Sequence, residues 1–576
     1  MFEQTSGGQL ELTRDLAGSI QCPGLSIRAA DLQESAAELS ERLRVYYYKQ
    51  SNPLLWSVFL GGTGTGKSTL FNALLGELLS DTGVERPKTK GPVVWAPRGA
   101  RIDRDFPFPA VQIDREPYES IKQRPVSGRP GQLVVVEYEQ QPHLPFLVVD
   151  TPDLDSVEVE NRAFASQLYL LADVVLFVSS QEKYADEIPY KSLLKTIADN
   201  KPCYVLVNKA DGRLGRKEVL QLLARSGVSI AGERLWLIPY VPSQPWQSIA
   251  AEPEFRAFRQ SLLADFSGER LADFTRKQSA ERLQDLVNRI RALLALLAQE
   301  NDACQKWLSR LDALYEQIAR DLVARQKEHF SSISREYLQR EIRQLYTRYD
   351  VLAKPRRFIR ELLLTPLRLL GFRRENEAKV HDEALLRIRR KLDQAVVHSA
   401  VEQFNRAVLE QLSPGEATAP LFRALRDPAV LLTDEEIKQR LTEQQDQLIQ
   451  WLEDHFKKIS RGISKEKELG IYSTSVLWGL LLLSFEAAVG GGLTLVDAAV
   501  DTAVAPFLTK GAVELFAYHE IQRVGRKLAK RYEQGLLSVL QHQRDLYRQS
   551  LQRLMTANEL TYKLEELCQQ FEDSIT

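Results

Sequence analysis

Cysteine is scarce in this chain of 576 residues, and the four that occur, Cys22, Cys203, Cys304 and Cys568, stand far apart with no C-x-x-C spacing. The seven histidines form no H-E-x-x-H pattern and no Cys/His cluster. The simple reading is a reducing compartment and no structural zinc. An excess of charge is also missing. Lys plus Arg number 76 against 77 for Asp plus Glu, so nothing in bulk attracts nucleic acid and any basic patch must be local. No specific nucleic-acid partner is expected. No fixed-period repeat is present. Met1-Phe2-Glu3-Gln4-Thr5 lacks a basic region followed by an apolar run, so the expectation is no cleaved secretory signal and a cytoplasmic location.

What is present is apolar content of 44%, enough to bury a core in each of two or more domains at this length. Polar residues run to about 24, and Cys22-Pro23-Gly24 punctuates them before a helical pattern over about 26–50, with Leu32, Ala36, Leu39 and Leu43 on one face. From Leu54 to about Pro242, strand-like runs alternate with helices, among them Leu133–Val136, Phe146–Val149, Val174–Val178 and Tyr204–Val207. That alternation predicts a three-layer α/β domain. Beyond about Pro253 the strand signals nearly vanish. Long 3.6-period stripes take over, such as Leu283, Leu286, Val287, Ile290, Leu293 and then Leu308, Leu311, Tyr315, Ile318. Further helices are expected over about 377–412, from a Thr433–Glu436 capping box to about 460, and from about 514 to near the end. An irregular connection is expected over 413–427.

One stretch carries chemistry of its own. The apolar run Leu54–Leu60 leads into Gly61, Gly62, Thr63, Gly64, Thr65, Gly66, Lys67 and Ser68, and then into the helix-like Thr69-Leu70-Phe71-Asn72-Ala73. Strand, G-x-x-x-x-G-K-[ST] and helix in that order form a phosphate cradle. Glycines let successive backbone N–H groups turn inward around a phosphate, and the helix start adds its positive dipole end. Lys67 is then placed to neutralise the β and γ phosphates, and the Ser68 hydroxyl to hold Mg²⁺.

A cradle alone does not choose a base. Asn208-Lys209-Ala210-Asp211 directly follows the strand Tyr204–Val207 and resembles N-K-x-D, the guanine-reading motif of Ras-like GTPases. A carboxylate such as Asp211 accepts from guanine N1–H and its exocyclic amine, a pattern adenine lacks, while Asn208 and Lys209 brace the loop and ring. Asp150-Thr151-Pro152-Asp153 follows Phe146–Val149 and resembles the D-T-P-G of the same enzymes, in which the Asp contacts Mg²⁺ through water. The chain departs from that pattern at Asp153, where the usual glycine senses the γ-phosphate through its N–H. It departs again at Leu154, where Ras-like enzymes carry a water-orienting Gln. Hydrolysis is therefore expected to be slow, or completed by another group. Arg86-Pro87-Lys88-Thr89 resembles the R-P-x-T of dynamin-like GTPases, whose Thr completes the Mg²⁺ shell; the alternative is a plain surface loop. A last guanine-loop element is sought near Tyr240–Ser243.

Together these motifs resemble the dynamin-related, bacterial-type side of the large GTPases. The resemblance implies a P-loop GTPase domain followed by a long all-α helical bundle or stalk with a membrane-contacting tip. It implies GTP/GDP as ligands, GTPase activity, Mg²⁺, and a homodimer or higher oligomer. Lys67 and Thr89 are then the catalytic candidates. Gly61 to Thr69 bind phosphate, Asn208, Lys209 and Asp211 bind guanine, and Ser68, Thr89 and Asp150 serve the metal. Some relatives place Asn at the fourth loop position to bind potassium; here Gly64 stands there.

Two segments are candidates for lipid contact. Residues 354–374 hold seven basic side chains against one acidic, interleaved with Leu and Phe, which suits an interfacial segment on anionic lipid as well as a buried turn with a basic face. Residues 469–509 carry only Glu486, Asp497 and Asp501 as charges around Gly490-Gly491-Gly492, with basic flanks on both sides. That pattern fits a cytoplasm-facing apolar hairpin, or a pair of helices buried in the bundle. The expected division is an N-terminal tail and helix packing on the bundle (1–50), GTPase domain (51–250), helical bundle (251–468), apolar hairpin (469–512) and a returning C-terminal helix (513–576). Peripheral placement on the cytoplasmic face of a membrane follows. The alternatives are a soluble regulatory or ribosome-associated GTPase whose helical half binds protein or RNA, and a nucleotide-binding scaffold with negligible turnover.

Overall fold

The apolar run after Leu54 becomes strand β1 (Trp56–Gly61), in which every residue is buried. A strand covered on both faces has to be apolar throughout, as this one nearly is. The computed structural model describes residues 16–82, 91–121, 125–126, 128–129, 131–138, 144, 146–155, 159–180, 187–212, 215–241, 246–331, 394–461, 485 and 515–575. The chain falls into two compact units. One comprises Met1–Ile20, Asp31–Leu296 and Ala557–Thr576, the other Gln21–Ala30 and Leu297–Thr556.

The first unit is built on an eight-stranded sheet in the order β3-β4-β2-β5-β1-β6-β7-β8. Its other strands are β2 (Val93–Pro97), β3 (Gln112–Pro117), β4 (Gln132–Tyr138), β5 (Leu147–Asp150), β6 (Val174–Ser180), β7 (Cys203–Ala210) and β8 (Leu235–Pro239). All neighbours pair in parallel except β2 with β5. Among the described residues, the longer helices of this unit that precede Gly268 are α1 (Ala29–Ser51), α2 (Lys67–Leu75), α3 (Val159–Leu171), α4 (Glu187–Ala198), α5 (Arg216–Arg225) and α6 (Pro253–Asp265). They are joined by the first part of α7 (Gly268–Ser331).

Alternation along each strand separates two cores. Trp56, Val58 and Leu60 pack with α1, α3, α4 and α5 on one face. Phe59 packs with Leu70, Phe71 and Leu74 of α2 and Phe255 and Phe258 of α6 on the other. This is the expected three-layer α/β domain followed by a long helical part. The four runs read from the sequence correspond to β4, β5, β6 and β7. Missing from that reading are β2, β3 and β8. β3 is an edge strand with mostly half-buried and exposed residues, so Gln112-Ile113-Asp114-Arg115-Glu116-Pro117 has no apolar signature.

A buried ionic knot ties α1 and α7 to this sheet. Asp173, just before β6, accepts from Lys49 Nζ of α1 at 2.6 Å and from the Trp56 backbone N–H at 2.7 Å, and pairs with Arg282 of α7. Burial alone pushes the Asp173 carboxyl upward, but Lys49, Arg282 and the Trp56 N–H outweigh it and hold the group down to about 2. Nearby, Lys201 Nζ donates to the carbonyls of Tyr169 at 2.9 Å and Ala172 at 2.7 Å, closing the C-terminal end of α3.

The second unit is helical: the remainder of α7, α8 (Gln394–Gln411), α9 (Asp434–Arg461) and α10 (Leu515–Leu554). Trp307, Leu311, Phe404, Leu441, Leu452, Tyr532 and Tyr547 belong to one buried cluster. The two stripes expected after Leu283 are one continuous helix of 64 residues. The capping box is present, with Thr433 N–H on Glu436 Oε2 at 2.9 Å and Glu436 N–H on Thr433 Oγ1 at 3.3 Å. The expected helix start near 26 shifts to Ala29. The reason is that Glu300 of α7, itself buried, accepts the N–H groups of Gly24, Leu25 and Ser26, each at 2.8 Å. The expected single C-terminal helix breaks into α10 and α11 (Asn558–Ile575). At the break the Thr556 hydroxyl bonds the Gln21 backbone through its C=O at 2.6 Å and its N–H at 3.1 Å. α11 belongs to the first unit, where Phe571 meets Tyr46 edge-on at 5.3 Å and Glu572 meets Arg291 at 2.7 Å.

Thr89, residues 354–374, and all of 469–509 but Phe485 lie outside the described residues. Phe485 is buried against Tyr532. Among the described residues no helix is long and apolar enough to cross a membrane.

Candidate functional site

Parallel strands converge their carboxyl ends on one edge of a sheet, and ligands sit there. β1 ends in Gly61, β5 in Asp150 and β7 in Asn208-Lys209-Ala210, with Phe59 in register with Asp150 and Ser180 of β6 with Asn208. The loop Gly61–Gly66 then turns into α2. Two glycines are required by close approach. A Cβ on Gly61 would lie 2.1 Å from the Val178 carbonyl oxygen, and one on Gly66, whose φ is +94°, would lie 2.3 Å from Asn208 Nδ2.

Asn208 is fully buried, and its Nδ2 donates to the Thr65 carbonyl at 2.9 Å. Lys209, at φ 57°, sends Nζ to the Gly64 carbonyl at 2.9 Å. The strand-end loop and the phosphate loop are therefore stitched together across the sheet edge, although about 140 residues separate them in sequence. Asp211 follows immediately and is exposed at the rim. Tyr240 N–H bonds the Ala210 carbonyl at 2.9 Å and its ring is exposed beside the same loop, while Pro242 and Ser243 lie outside the described residues.

Lys67 opens α2 with its side chain 4% exposed. Its Nζ donates to the carbonyls of Gly61 and Gly62, each at 3.1 Å, and pairs with Asp153. Thr65 Oγ1 donates to the Gly62 carbonyl at 2.9 Å and tightens the turn. Asp155 accepts from both the Thr63 N–H at 2.7 Å and the Thr63 hydroxyl at 2.6 Å.

Asp150 is completely buried. Burial raises its carboxyl above the usual range, opposed by hydrogen bonds from Ser80 and Ser68 and by Lys67. One oxygen accepts from Ser80 Oγ at 2.6 Å, while Oδ1 is buried with no partner. An orphaned carboxylate oxygen beside a serine hydroxyl suits Mg²⁺, which takes oxygen ligands, one or two carboxylates and the phosphates. Among the described residues no group of three or more His, Cys, Asp or Glu side chains could hold a metal ion.

The sequence motifs miss Ser80, Asn72 and Asp155. Asn72 on α2 organises the stretch before Ser80, accepting the N–H of Leu79 at 3.0 Å and of Ser80 at 2.9 Å and donating to the Ser80 carbonyl at 2.8 Å. An asparagine on the buried face of α2 is the one signal that could have flagged it.

Sheet, loop and strand-end motif define a P-loop, GTPase-type α/β domain followed by a long helical part. Comparison agrees for the domain: residues 57–209 match the family described as 50S ribosome-binding GTPase, a family of nucleotide-hydrolysing domains. Two solved structures, described as an oligomerised bacterial dynamin pair that provides a mechanism for long-range sensing and tethering of membranes, are similar over most of the chain. The first has 14% identity and a TM-score of 0.41 over 98% of this chain and 96% of that one. The second has 14% identity and a TM-score of 0.42 over 95% and 92%. At such scores the likeness decides nothing about function. No curated protein matches the chain.

Proposed function

We propose that the chain is a dynamin-like GTPase that binds GTP with Mg²⁺, hydrolyses it, and couples nucleotide state to rearrangement of its helices at a membrane surface, as a homodimer or larger oligomer. The observation that carries the guanine reading is the pair of bonds from Asn208 to the Thr65 carbonyl and from Lys209 to the Gly64 carbonyl. They support it by tying to the phosphate loop the strand end that Asp211 follows. In this reading Lys67 neutralises the β and γ phosphates, the loop Gly61 to Thr69 lines them, and Asn208, Lys209 and Asp211 bind guanine, Asp211 as the acceptor. Ser68 and Asp150, with Thr89, hold the metal. Mg²⁺ supplies charge neutralisation and orientation of the phosphoryl group. The membrane half rests on the composition of 354–374 and 469–509.

Asp211→Asn is expected to weaken GTP binding about 100-fold and to gain xanthosine triphosphate, because the amide accepts from N1–H and donates to the C2 oxygen that xanthine carries instead of an amine. Competition of both nucleotides against a fluorescent analogue measures it; equal loss of both would refute the base-reading role. For the membrane half, flotation with anionic liposomes should depend on nucleotide and disappear when residues 469–509 are deleted. GTP turnover per molecule should rise with protein concentration. A protein that never floats in any nucleotide state sinks that half. A second reading, a soluble GTPase whose helical half binds the ribosome, is supported by the description of the matched family. Salt-sensitive co-sedimentation with ribosomal subunits would favour it.

A further inference from the structure

Resting on the reading of this pocket as a guanine-nucleotide site, we propose that Asp153 and Asp155 are built-in anionic competitors for the phosphates. Nucleotide then binds by pushing the segment Pro152–Asp155 off the phosphate loop rather than by drawing it in.

The geometry is a grip at three successive residues. The Asp153 carboxylate, 18% exposed, pairs with Lys67 Nζ, 4% exposed. Leu154 N–H bonds the Gly61 carbonyl at 3.2 Å. Asp155 takes both the N–H and the hydroxyl of Thr63. Lysine ammonium and loop N–H groups are the donors a phosphate needs in such a cradle. Here two carboxylates of the same chain hold them, with charge and acceptor oxygens of the same kind as the ligand's. A glycine at 153 would leave Lys67 to the ligand.

A phosphate that reaches Lys67 brings negative charge to within hydrogen-bond distance of Asp153, in a pocket where solvent screens little. The carboxylate has to leave, and the backbone of Leu154 and Asp155 is attached to it. Thr151 stays, because its hydroxyl is bonded to the Phe59 carbonyl at 2.6 Å inside the sheet. The swing is therefore confined to the residues after Thr151. Asp150, which precedes that anchor, keeps its place at the end of β5. The sign of the coupling is the result: the loop is docked when its own carboxylates hold the donors and expelled when phosphate does.

The test uses the full chain and fluorescent GDP and a non-hydrolysable GTP analogue as probes, with wild type, Asp153→Asn, Asp155→Asn and the double variant. A purely structural ion pair predicts unchanged or weaker binding on neutralisation. The competitor role predicts binding at least tenfold tighter in each single variant and tighter still in the double, with faster association. Hydrogen exchange at the amides of Leu154 and Asp155 should rise when GDP is added to wild type. Equal or weaker binding by the variants, or exchange that falls, overturns the proposal. If Asp153→Asn does not fold, Asp155→Asn decides, since it leaves the Lys67 pair in place. Binding by the variants but not by wild type supports the proposal. Failure of every protein to bind refutes the nucleotide reading itself, and the inference with it. Tight binding by wild type with no gain in the variants refutes the inference alone.

Discussion

Asp173→Ala is expected to destabilise the protein by about 3–5 kcal/mol, the cost of stranding buried charge. The substitution takes from Lys49 on α1 its carboxylate partner, leaving it only the Leu54 carbonyl, takes from the Trp56 N–H of β1 its acceptor, and frees Arg282 on α7. Packing does not compensate, because the knot is ionic and the cavity left is polar. Denaturant titration followed by a probe of the first unit measures the loss, and a change under about 1 kcal/mol would show that the knot is incidental. The pH dependence has a definite sign. The folded carboxyl lies at about 2 against an ordinary 3.8, so its contribution is fully present above 3.8 and is lost as pH falls toward 2. The Asp173 share of the gap between wild type and variant should therefore shrink in acid, as pH falls from 3.8 toward 2.

Lys67→Ala is expected to cost nucleotide binding about 100-fold or more, since a buried charge-assisted contact to phosphate contributes roughly 3 kcal/mol. The effect should exceed loss of one cation. Without Lys67, the Asp153 carboxylate stands unneutralised beside the cradle and repels phosphate. Adding Asp153→Asn to Lys67→Ala should then restore part of the affinity, and a double-mutant cycle on equilibrium binding reads the coupling. Affinity of Lys67→Ala within a few-fold of wild type would remove Lys67 from the site.

The three-layer domain was legible because fully buried parallel strands are continuous apolar runs, as in Val174–Val178, and because the phosphate-loop and strand-end motifs each sit where a strand ends. The edge strand β3 was not legible, since a strand with little buried face needs no apolar pattern. Nor were the contacts of Asp153 with Lys67 and of Asp155 with Thr63, which join positions 86 and 92 residues apart without any local spacing to announce them. The same holds for Glu300. A lone acidic residue on a long helix reads as a solvated charge until three backbone N–H groups are found on it. Helix boundaries failed for a related reason: the shift to Ala29 and the break before Asn558 are both set by hydrogen bonds to distant partners rather than by local propensity.

The membership of α11 in the first unit bears on how the chain is made. The sheet and α7 up to Leu296 leave the ribosome early, but Ala557–Thr576, whose Leu560, Leu564, Leu567 and Phe571 are buried, follows only after the whole of Leu297–Thr556. At about 5–20 residues per second, the face around Tyr46 waits on the order of 10–50 s for its cover. The first unit therefore completes its packing only after Leu297–Thr556 has been made, and during that interval its apolar face is open to chaperones.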